Sequence, residues 1–186
     1  MSAPIPLEEA LAQMLASAPM TDLVDTAPLL EARGRVLAED VESVIDVPGA
    51  DNSAMDGYAL RPAEADGPLR VAQRIPAGAV GTYLAPGTAA RIFTGAPMPP
   101  GADAVAIQED CLEEEGVLRV KHVPAAGANV RPRGQDVAAG DTVIAAGRRL
   151  RPQDLGLLAS VGVAEVRVFR PLRVGVLATG DELVEP

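Results

Sequence analysis

The chain has very few of the residues that form disulfides or bind transition metals. Its 186 residues include one cysteine, Cys111, and one histidine, His122. An internal disulfide, a multi-cysteine zinc site and the usual histidine-based metal sites are therefore excluded. Neither residue has a supported catalytic role, since each is alone in its type and lies in or beside a predicted strand. A metal site in this chain would use hard oxygen ligands.

Aromatic residues and long apolar runs are also scarce. Tryptophan is absent and aromatics make up 2% of the composition, whereas apolar residues make up 48% and are mostly Ala, Val and Leu. The core is thus predicted to be aliphatic. No run of 18 apolar residues occurs, and the first 15 residues, MSAPIPLEEALAQML, lack the positive n-region and apolar core of a signal peptide. We therefore expect a soluble cytoplasmic protein.

The chain has fewer basic than acidic residues. The 26 acidic residues outnumber the 16 basic ones, which gives a formal net charge of -10. Long-range attraction to nucleic acid or to an anionic membrane surface is therefore not expected. A local basic cluster could still bind a small anion.

Turn residues, in contrast, are abundant. The 18 glycines and 17 prolines are spread along the chain, which predicts many tight turns between short elements and a β-rich, mixed α+β fold. Helical periodicity from Leu7 predicts a helix, and a second helical piece covers 29–32. RVLAEDVESVIDV, residues 35–47, alternates as a strand does. Further predicted strands of a barrel or sandwich module lie at 58–61, 70–75, 88–93, 104–109 and 117–122, with EDCLEEEG as a solvated hairpin turn.

The last part of the chain changes in character. Pro152 and Gly162 bound a predicted short helix, and VAEVRVF alternates as a half-buried strand. RVGVLATG, residues 173–180, is a nearly unbroken apolar run, which is typical of a parallel strand covered on both faces. Because a parallel strand cannot stand alone, we expect that a further α/β domain is missing.

Four segments carry polar residues that turn composition alone does not explain: DNSAMDGYA, RIFTGAPMPPGADAV, VRPRGQD and ATGDEL. If they converged, two carboxylates about 4 Å apart would repel by roughly 4 kcal/mol at an effective dielectric of about 20. A cation or arginines would have to offset that repulsion. Convergence would thus predict a metal, with Mg²⁺ favoured because it takes oxygen ligands and keeps waters.

Each segment also has an ordinary structural interpretation. Asp56 could be a turn acid before Gly57, and Thr94 could belong to a simple turn. VRPRGQD could be a solvated basic turn, although two arginines within three residues form a fork suited to an oxyanion. Asp181 and Glu182 could be first-turn acids of a helix.

Taken in this order, the four segments resemble the molybdopterin molybdenumtransferase family, MoeA and the E domain of gephyrin. The resemblance covers nearly the whole chain, and DNSAMDGYA and FTGAPMP are its long and specific motifs. It implies the last step of molybdenum cofactor synthesis, in which molybdate enters the dithiolene of adenylylated molybdopterin, Mg²⁺ assists and AMP leaves. The alternative is a non-catalytic dimerisation or scaffold module.

The resemblance also implies residues for each role. The expected active-site residues are Asp56, Thr94, Asp136 and Glu182. Of these, Asp56, Asp136 and Glu182 are the expected metal ligands, and the expected anion-binding residues are Arg131, Arg133 and Ser53.

The fold implied by the resemblance has three parts. Residues 1–48 and 141–171 would form an elongated N-terminal and linker domain, 49–140 an inserted β-barrel-like domain, and 172–186 the start of a truncated α/β molybdopterin-binding domain. A homodimer with its site at the subunit junction is implied, with molybdopterin adenylyltransferase as the upstream partner. Two departures stand out: Ala50 replaces a common aromatic residue, and the glycine-rich pterin-binding motifs have no counterpart. The chain by itself is therefore expected to be inactive.

Overall fold

A computed structural model describes residues 5–18, 22–175 and 180 of the chain. These residues divide into two compact units. The first consists of the described parts of Met1–Val41, Ile144–Ala159 and Ala164–Pro186, and the second of Glu42–Val143 and Ser160–Val163. The predicted division at 48/49, 140/141 and 171/172 stays a prediction.

The second unit is built on a six-stranded sheet that curls as a half-barrel, which confirms the β-rich prediction. The strands are β4 (Gly57–Leu60), β5 (Leu69–Ile75), β6 (Thr88–Ile92), β7 (Ala104–Ile107), β8 (Cys111–Glu114) and β9 (Val117–Val120). Their order in the sheet is β7-β4-β6-β5-β9-β8, and the β5–β6 pair is parallel whereas the other pairs are antiparallel.

The core of this unit is aliphatic, as predicted, and lies on both faces of the sheet. Every residue of β4 is buried. Tyr58 and Leu60 pack into one cluster with Leu69 and Leu118, whereas Ala59 packs into another with Ile92. Side chains alternate along a strand, so β4 contributes to both clusters. This burial fixes the position of the residue before the strand, Asp56.

Two predicted strands of this sheet end two residues earlier than expected. The strand predicted at 104–109 ends at Ile107 and continues as a 3₁₀ turn, Gln108–Asp110. The strand predicted at 117–122 ends at Val120. The acidic segment does form a hairpin, with Glu115 and Gly116 at positive φ in the turn (49° and 78°), but half of the segment is itself strand β8. Positive φ at both central residues is what a tight two-residue hairpin turn requires.

The predicted continuous strand over 35–47 is wrong. The region contains only β2 (Val41–Glu42), which pairs with β11 (Thr142–Ile144), and isolated bridges at Val36, Leu37 and Val47. The Ser43 hydroxyl donates to the carbonyl oxygen of Ile45 at 2.6 Å. Such local side-chain bonds compete with a strand ladder and turn the backbone.

The first unit contains the helices and one strand pair. Its elements are α1 (Leu7–Ser17), β1 (Val24–Pro28), a 3₁₀ turn (Leu29–Glu31), α2 (Pro152–Ser160) and β12 (Glu165–Phe169). β1, which the sequence analysis did not identify, pairs antiparallel with β12. Both helices and β12 were predicted, and Val166 and Val168 are buried as expected.

The helices differ in how they are held. In α2 the buried carboxylate of Asp154 accepts the backbone N–H of Arg151 at 2.8 Å and ion-pairs with Arg148 and Arg151. In α1, by contrast, no residue is buried. None of the described helices has the length and apolar character needed to cross a lipid bilayer.

The predicted terminal strand lies mostly outside the described residues. The described part, 173–175, has no strand. Residues 176–179, which complete the prediction, and Asp181 and Glu182 are not described.

Candidate functional site

Residues 51–57, of the DNSAMDGYA segment, lie between the RIFTGAPMPPGADAV and VRPRGQD segments, which were also predicted to belong to the site. Strand β3 (Asn52–Ser53) pairs antiparallel with β10 (Val130–Arg131) of the VRPRGQD segment. From the TGAP segment, Ala96 accepts the Ser53 N–H at 2.9 Å, and the Gly95 N–H donates to the Ser53 carbonyl at 2.8 Å. Backbone hydrogen bonds thus hold three of the four predicted segments together.

Asp56 and Thr94 form the tightest pair in this arrangement. Asp56 directly precedes β4, Thr94 follows β6, and the two strands are antiparallel neighbours in which Gly57 faces Ile92. The start of one strand therefore lies beside the end of the other. Asp56 Oδ1 accepts both the Thr94 N–H and the Thr94 hydroxyl, each at 2.8 Å. The prediction placed both residues in one site without pairing them.

These bonds leave Asp56 as an oriented carboxylate. The Thr94 N–H, followed by the Thr94 hydroxyl, holds the pKa of Asp56 below its ordinary value, and the nearby Arg91 charge acts in the same direction. Both hydrogen bonds use Oδ1, so within the described chain Oδ2 accepts no hydrogen bond. An oriented, ionised oxygen of this kind can accept a hydrogen bond from a ligand.

Arg131 and Asp136 form a second pair, within the VRPRGQD segment. Their ion pair measures 2.6 Å from Nη2 to Oδ2, and about half of each side chain is exposed. Exposed ion pairs contribute little to stability. The pair is therefore better understood as orienting two groups at the surface than as holding the fold.

Arg133 is held by two acids that the sequence analysis did not single out. Its Nε donates to Asp46 Oδ2, and its backbone N–H donates to Asp51 Oδ1 at 2.8 Å. Asp46 also accepts the Ala139 N–H at 2.8 Å. The Ala139 N–H, and then Arg133, hold the pKa of Asp46 below its ordinary value. Two thirds of the Arg133 side chain is exposed, so its outer N–H groups face solvent.

Ser53 lies inside the site but points into its own turn. The residue is 1% exposed, and its hydroxyl donates to the Met55 carbonyl at 2.6 Å. It also accepts the Met55 N–H at 3.4 Å. In this structure the Ser53 side chain therefore shapes the DNSAMDG turn, with its proton already donated.

The described residues alone do not form a magnesium site. Among them, no group of three or more His, Cys, Asp or Glu side chains is placed to hold a metal ion. Asp56 is bonded to Thr94 and Asp136 to Arg131. The third predicted ligand, Glu182, is outside the described residues. The Mg²⁺ site therefore stays a prediction.

Arg91 is the principal residue that the sequence analysis missed. Its guanidinium donates to the Gly57 carbonyl at 3.1 Å and to Gln108 Oε1 at 2.7 Å, and it lies over the rings of Tyr58 and Phe93. The sequence signal was a charged residue within the apolar strand TAARI. Such a residue needs partners, and two of the four, Gly57 and Phe93, directly adjoin Asp56 and Thr94.

Comparison with known proteins decides the family. The protein-family model described as "MoeA N-terminal region (domain I and II)" matches residues 5–162 of the chain. The chain belongs to the MoeA family. It is 45% identical over 183 residues to the molybdopterin molybdenumtransferase of Haemophilus influenzae, covering 96% of this chain and 45% of that protein. It is 42% identical to molybdopterin molybdenumtransferase 2 of Mycobacterium tuberculosis H37Rv, and the match covers 87% of this chain and 42% of that protein.

The fold agrees with MoeA as well. A crystal structure of the molybdopterin biosynthesis MoeA protein from Pyrococcus horikoshii OT3 superposes with a TM-score of 0.81 at 36% identity, covering 89% of this chain and 46% of that one. The chain thus spans less than half the length of the MoeA relatives it matches. Asp56, Thr94, Arg131, Arg133 and Asp136 all lie inside the region that the MoeA model matches.

Proposed function

We propose that this protein takes part in molybdenum cofactor biosynthesis, in the insertion of molybdate into adenylylated molybdopterin with release of AMP. The observation that supports it most is that the Asp56–Thr94 pair and the Arg131–Asp136 pair lie on segments held together within the part matched as MoeA. Relatives over this part are named molybdopterin molybdenumtransferases. The proposed substrates are molybdate and adenylylated molybdopterin.

The chemistry of the residues suits these substrates. Both substrates carry oxyanions, and arginine N–H groups form strong charge-assisted hydrogen bonds to such groups. Arg131 and Arg133 are exposed in part, and each is oriented by an acid. In this proposal they hold the anions, while Thr94 keeps the Asp56 carboxylate directed at the same place. Asp56 Oδ2 would accept a hydrogen bond from a reacting group.

The proposal includes a homodimer. The helix α1 exposes Leu7, Leu11, Met14 and Leu15, whose exposed fractions run from 53% to 79%. Apolar side chains on one helix face are a usual signature of association. Sedimentation measurements on Leu11→Gln would show more monomer than the wild type, whereas the polar control Gln13→Ala would not. An unchanged monomer fraction in Leu11→Gln would contradict a role for this face. The same face would serve a scaffold, the alternative function.

Magnesium dependence, the upstream molybdopterin adenylyltransferase and a cytoplasmic location remain part of this proposal. Since the described residues contain no metal cluster, further oxygen ligands would have to come from elsewhere, with Glu182 the predicted one. A titration of AMP release with Mg²⁺ tests this directly.

The test of the function is AMP release from adenylylated molybdopterin, dependent on molybdate. Because the chain spans less than half of its relatives, the C-terminal portion of such a relative is supplied in the assay. We expect Asp56→Asn to abolish release, since it removes the carboxylate that Thr94 orients. Asp66→Asn is the matched control, because Asp66 is exposed and bonded to no other described residue.

The outcomes separate the two functions. Release by the wild type and the Asp66→Asn variant, but not by Asp56→Asn, supports the transferase. Unchanged release in Asp56→Asn contradicts the assignment of Asp56. No release from any variant, with dimerisation retained, favours the scaffold.

A further inference from the structure

A row of three cross-strand neighbours places two arginines beside the candidate site. In the sheet, Tyr58 of β4 faces Arg91 of β6, and Arg91 faces Arg74 of β5. Residues that face each other across paired strands lie on the same side of a sheet. Phe93, directly after β6, lies against this row and directly precedes Thr94.

The two guanidinium groups contact the same ring. Cζ of Arg74 lies 4.7 Å from the centroid of Phe93, and Cζ of Arg91 lies 4.8 Å from it. Arg91 also lies 5.0 Å from the centroid of Tyr58. A guanidinium stacked on a ring keeps its N–H groups at its edge, where they can bind an anion. Stacking also holds each side chain in place before a ligand arrives.

Neither arginine is neutralised by a bonded acid. Arg91 donates to two uncharged acceptors, the Gly57 carbonyl and Gln108 Oε1. The Arg74 side chain is exposed and, within the described part of the chain, makes neither a hydrogen bond nor an ion pair. The Arg91 charge acts on Asp56 and on Tyr58, whose hydroxyl donates to Glu113 Oε2 at 2.6 Å. The two arginines still bring two positive charges to one ring, in a chain whose net charge is -10.

We propose that Arg74 and Arg91 form a binding site for a phosphate group, next to Thr94. Two guanidinium forks suit the charge of about -1.5 to -2 that a phosphate monoester carries at neutral pH. Guanidinium groups already lie over the rings of Phe93 and Tyr58, and Tyr58 is buried. In this proposal the site therefore recognises the phosphate and not the base.

The first experiment is a calorimetric titration of the whole chain with inorganic phosphate and with AMP, at low ionic strength. We expect both to bind, and Arg74→Gln to weaken both by about tenfold or more, the loss expected for one charge-assisted hydrogen bond. Arg70→Gln is the matched control. Arg70 is also an exposed arginine on β5, but it contacts no ring and bonds to no other described side chain.

A second variant tests the geometry. Arg74→Lys keeps the charge but loses the planar fork, so it should bind phosphate several-fold more weakly than the wild type. Circular dichroism should be unchanged in both variants, because Arg74 is exposed. Equal affinities for phosphate and AMP identify the phosphate group as the whole determinant, whereas tighter binding of AMP would contradict the inference that the nucleoside is not recognised.

Two results would overturn the site: wild-type protein that binds neither ligand at millimolar concentration, or affinities that Arg74→Gln leaves unchanged. The inference deepens the proposed function, on which it rests for the place of the phosphate in the reaction, but the binding assay needs neither molybdate nor turnover. Phosphate binding without any molybdate-dependent AMP release would overturn the transferase and keep the site. If Arg74→Gln changes neither AMP release nor phosphate affinity, the phosphate site is overturned and the transferase is kept.

Discussion

Replacing Gly57 by alanine should disrupt the candidate site from within the sheet. A Cβ built on Gly57 would lie 2.0 Å from the carbonyl oxygen of Ala106 and 2.9 Å from its carbonyl carbon, both in the backbone of β7. Val105 Cγ1 would be 3.1 Å away. Since real Cβ contacts essentially never fall below 3.0 Å, β4 and β7 would have to separate by about 1 Å.

The energetic cost follows from where these strands lie. All of β4 is buried, and so are Ala104, Val105 and Ala106 of β7. A backbone shift forced in a packed core costs about 1 to 3 kcal/mol and sometimes more. Because the obstacle here is backbone, we expect the upper end, about 3 kcal/mol. For a chain of this size that corresponds to a melting temperature lower by about 6 to 12 °C.

Thermal unfolding followed by circular dichroism measures this, because the chain has no tryptophan to report by fluorescence. The matched control is Gly67→Ala, since a Cβ on Gly67 meets no atom within 4 Å and its φ is not positive. That variant should match the wild type or exceed it by about 0.4 to 1 kcal/mol. A Gly57→Ala protein that melts within about 1 °C of the wild type would refute the reasoning.

Three further predictions concern other parts of the molecule. Gly156→Ala, in α2, should raise the free energy of unfolding in urea by about 0.5 to 1 kcal/mol, because its Cβ meets no atom within 4 Å; a lower stability would contradict this. Burial, then Glu113, raises the pKa of Tyr58 to about 12. An unfolded tyrosine ionises near pH 10, so stability should fall as pH rises from about 10 to 12, and Tyr58→Phe, unfolded in urea at several pH values, should lose less than the wild type. Thr94→Val keeps the N–H that Asp56 accepts, so AMP release should fall by roughly tenfold or less, and a complete loss would show that the hydroxyl does more.

Local pattern predicted most of the elements that burial supports. The strands β4, β5, β6, β7 and β9 and the helix α2 were found because their apolar periodicity matches the side of the sheet or helix that packs. The same periodicity predicted α1, although none of its residues is buried. The strand predicted over 35–47 failed for a different reason. Its alternation of Val and acidic residues is genuine, but the Ser43 hydroxyl and the Asp40 carboxylate bond to backbone groups instead, with Asp40 accepting the Ala146 N–H at 2.7 Å. A periodicity count does not register that competition.

The sequence predicted the principal residues of the site but not the residues that hold them in place. Asp56, Thr94, Arg131 and Asp136 were identified from the resemblance to the MoeA family, since each also has an ordinary role in a turn. Asp46, by contrast, lies 87 positions from the Arg133 side chain it holds, so no local pattern could connect them. Arg91 looked like a strand residue until the register placed it opposite Tyr58.

Four residues of the run DNSAMDG have defined roles in the structure. Asp51 accepts the Arg133 N–H, the Ser53 hydroxyl forms the turn, and Asp56 accepts both donors of Thr94. Gly57 is required because β7 approaches too closely for any side chain. Asp56 lies at the start of a buried strand and is ionised, so its position depends on a partner for its charge and on room for its strand. Thr94 stabilises its charge, and the absent Cβ lets its strand lie flat against β7, so the position of Asp56 depends on Gly57 as much as on Thr94.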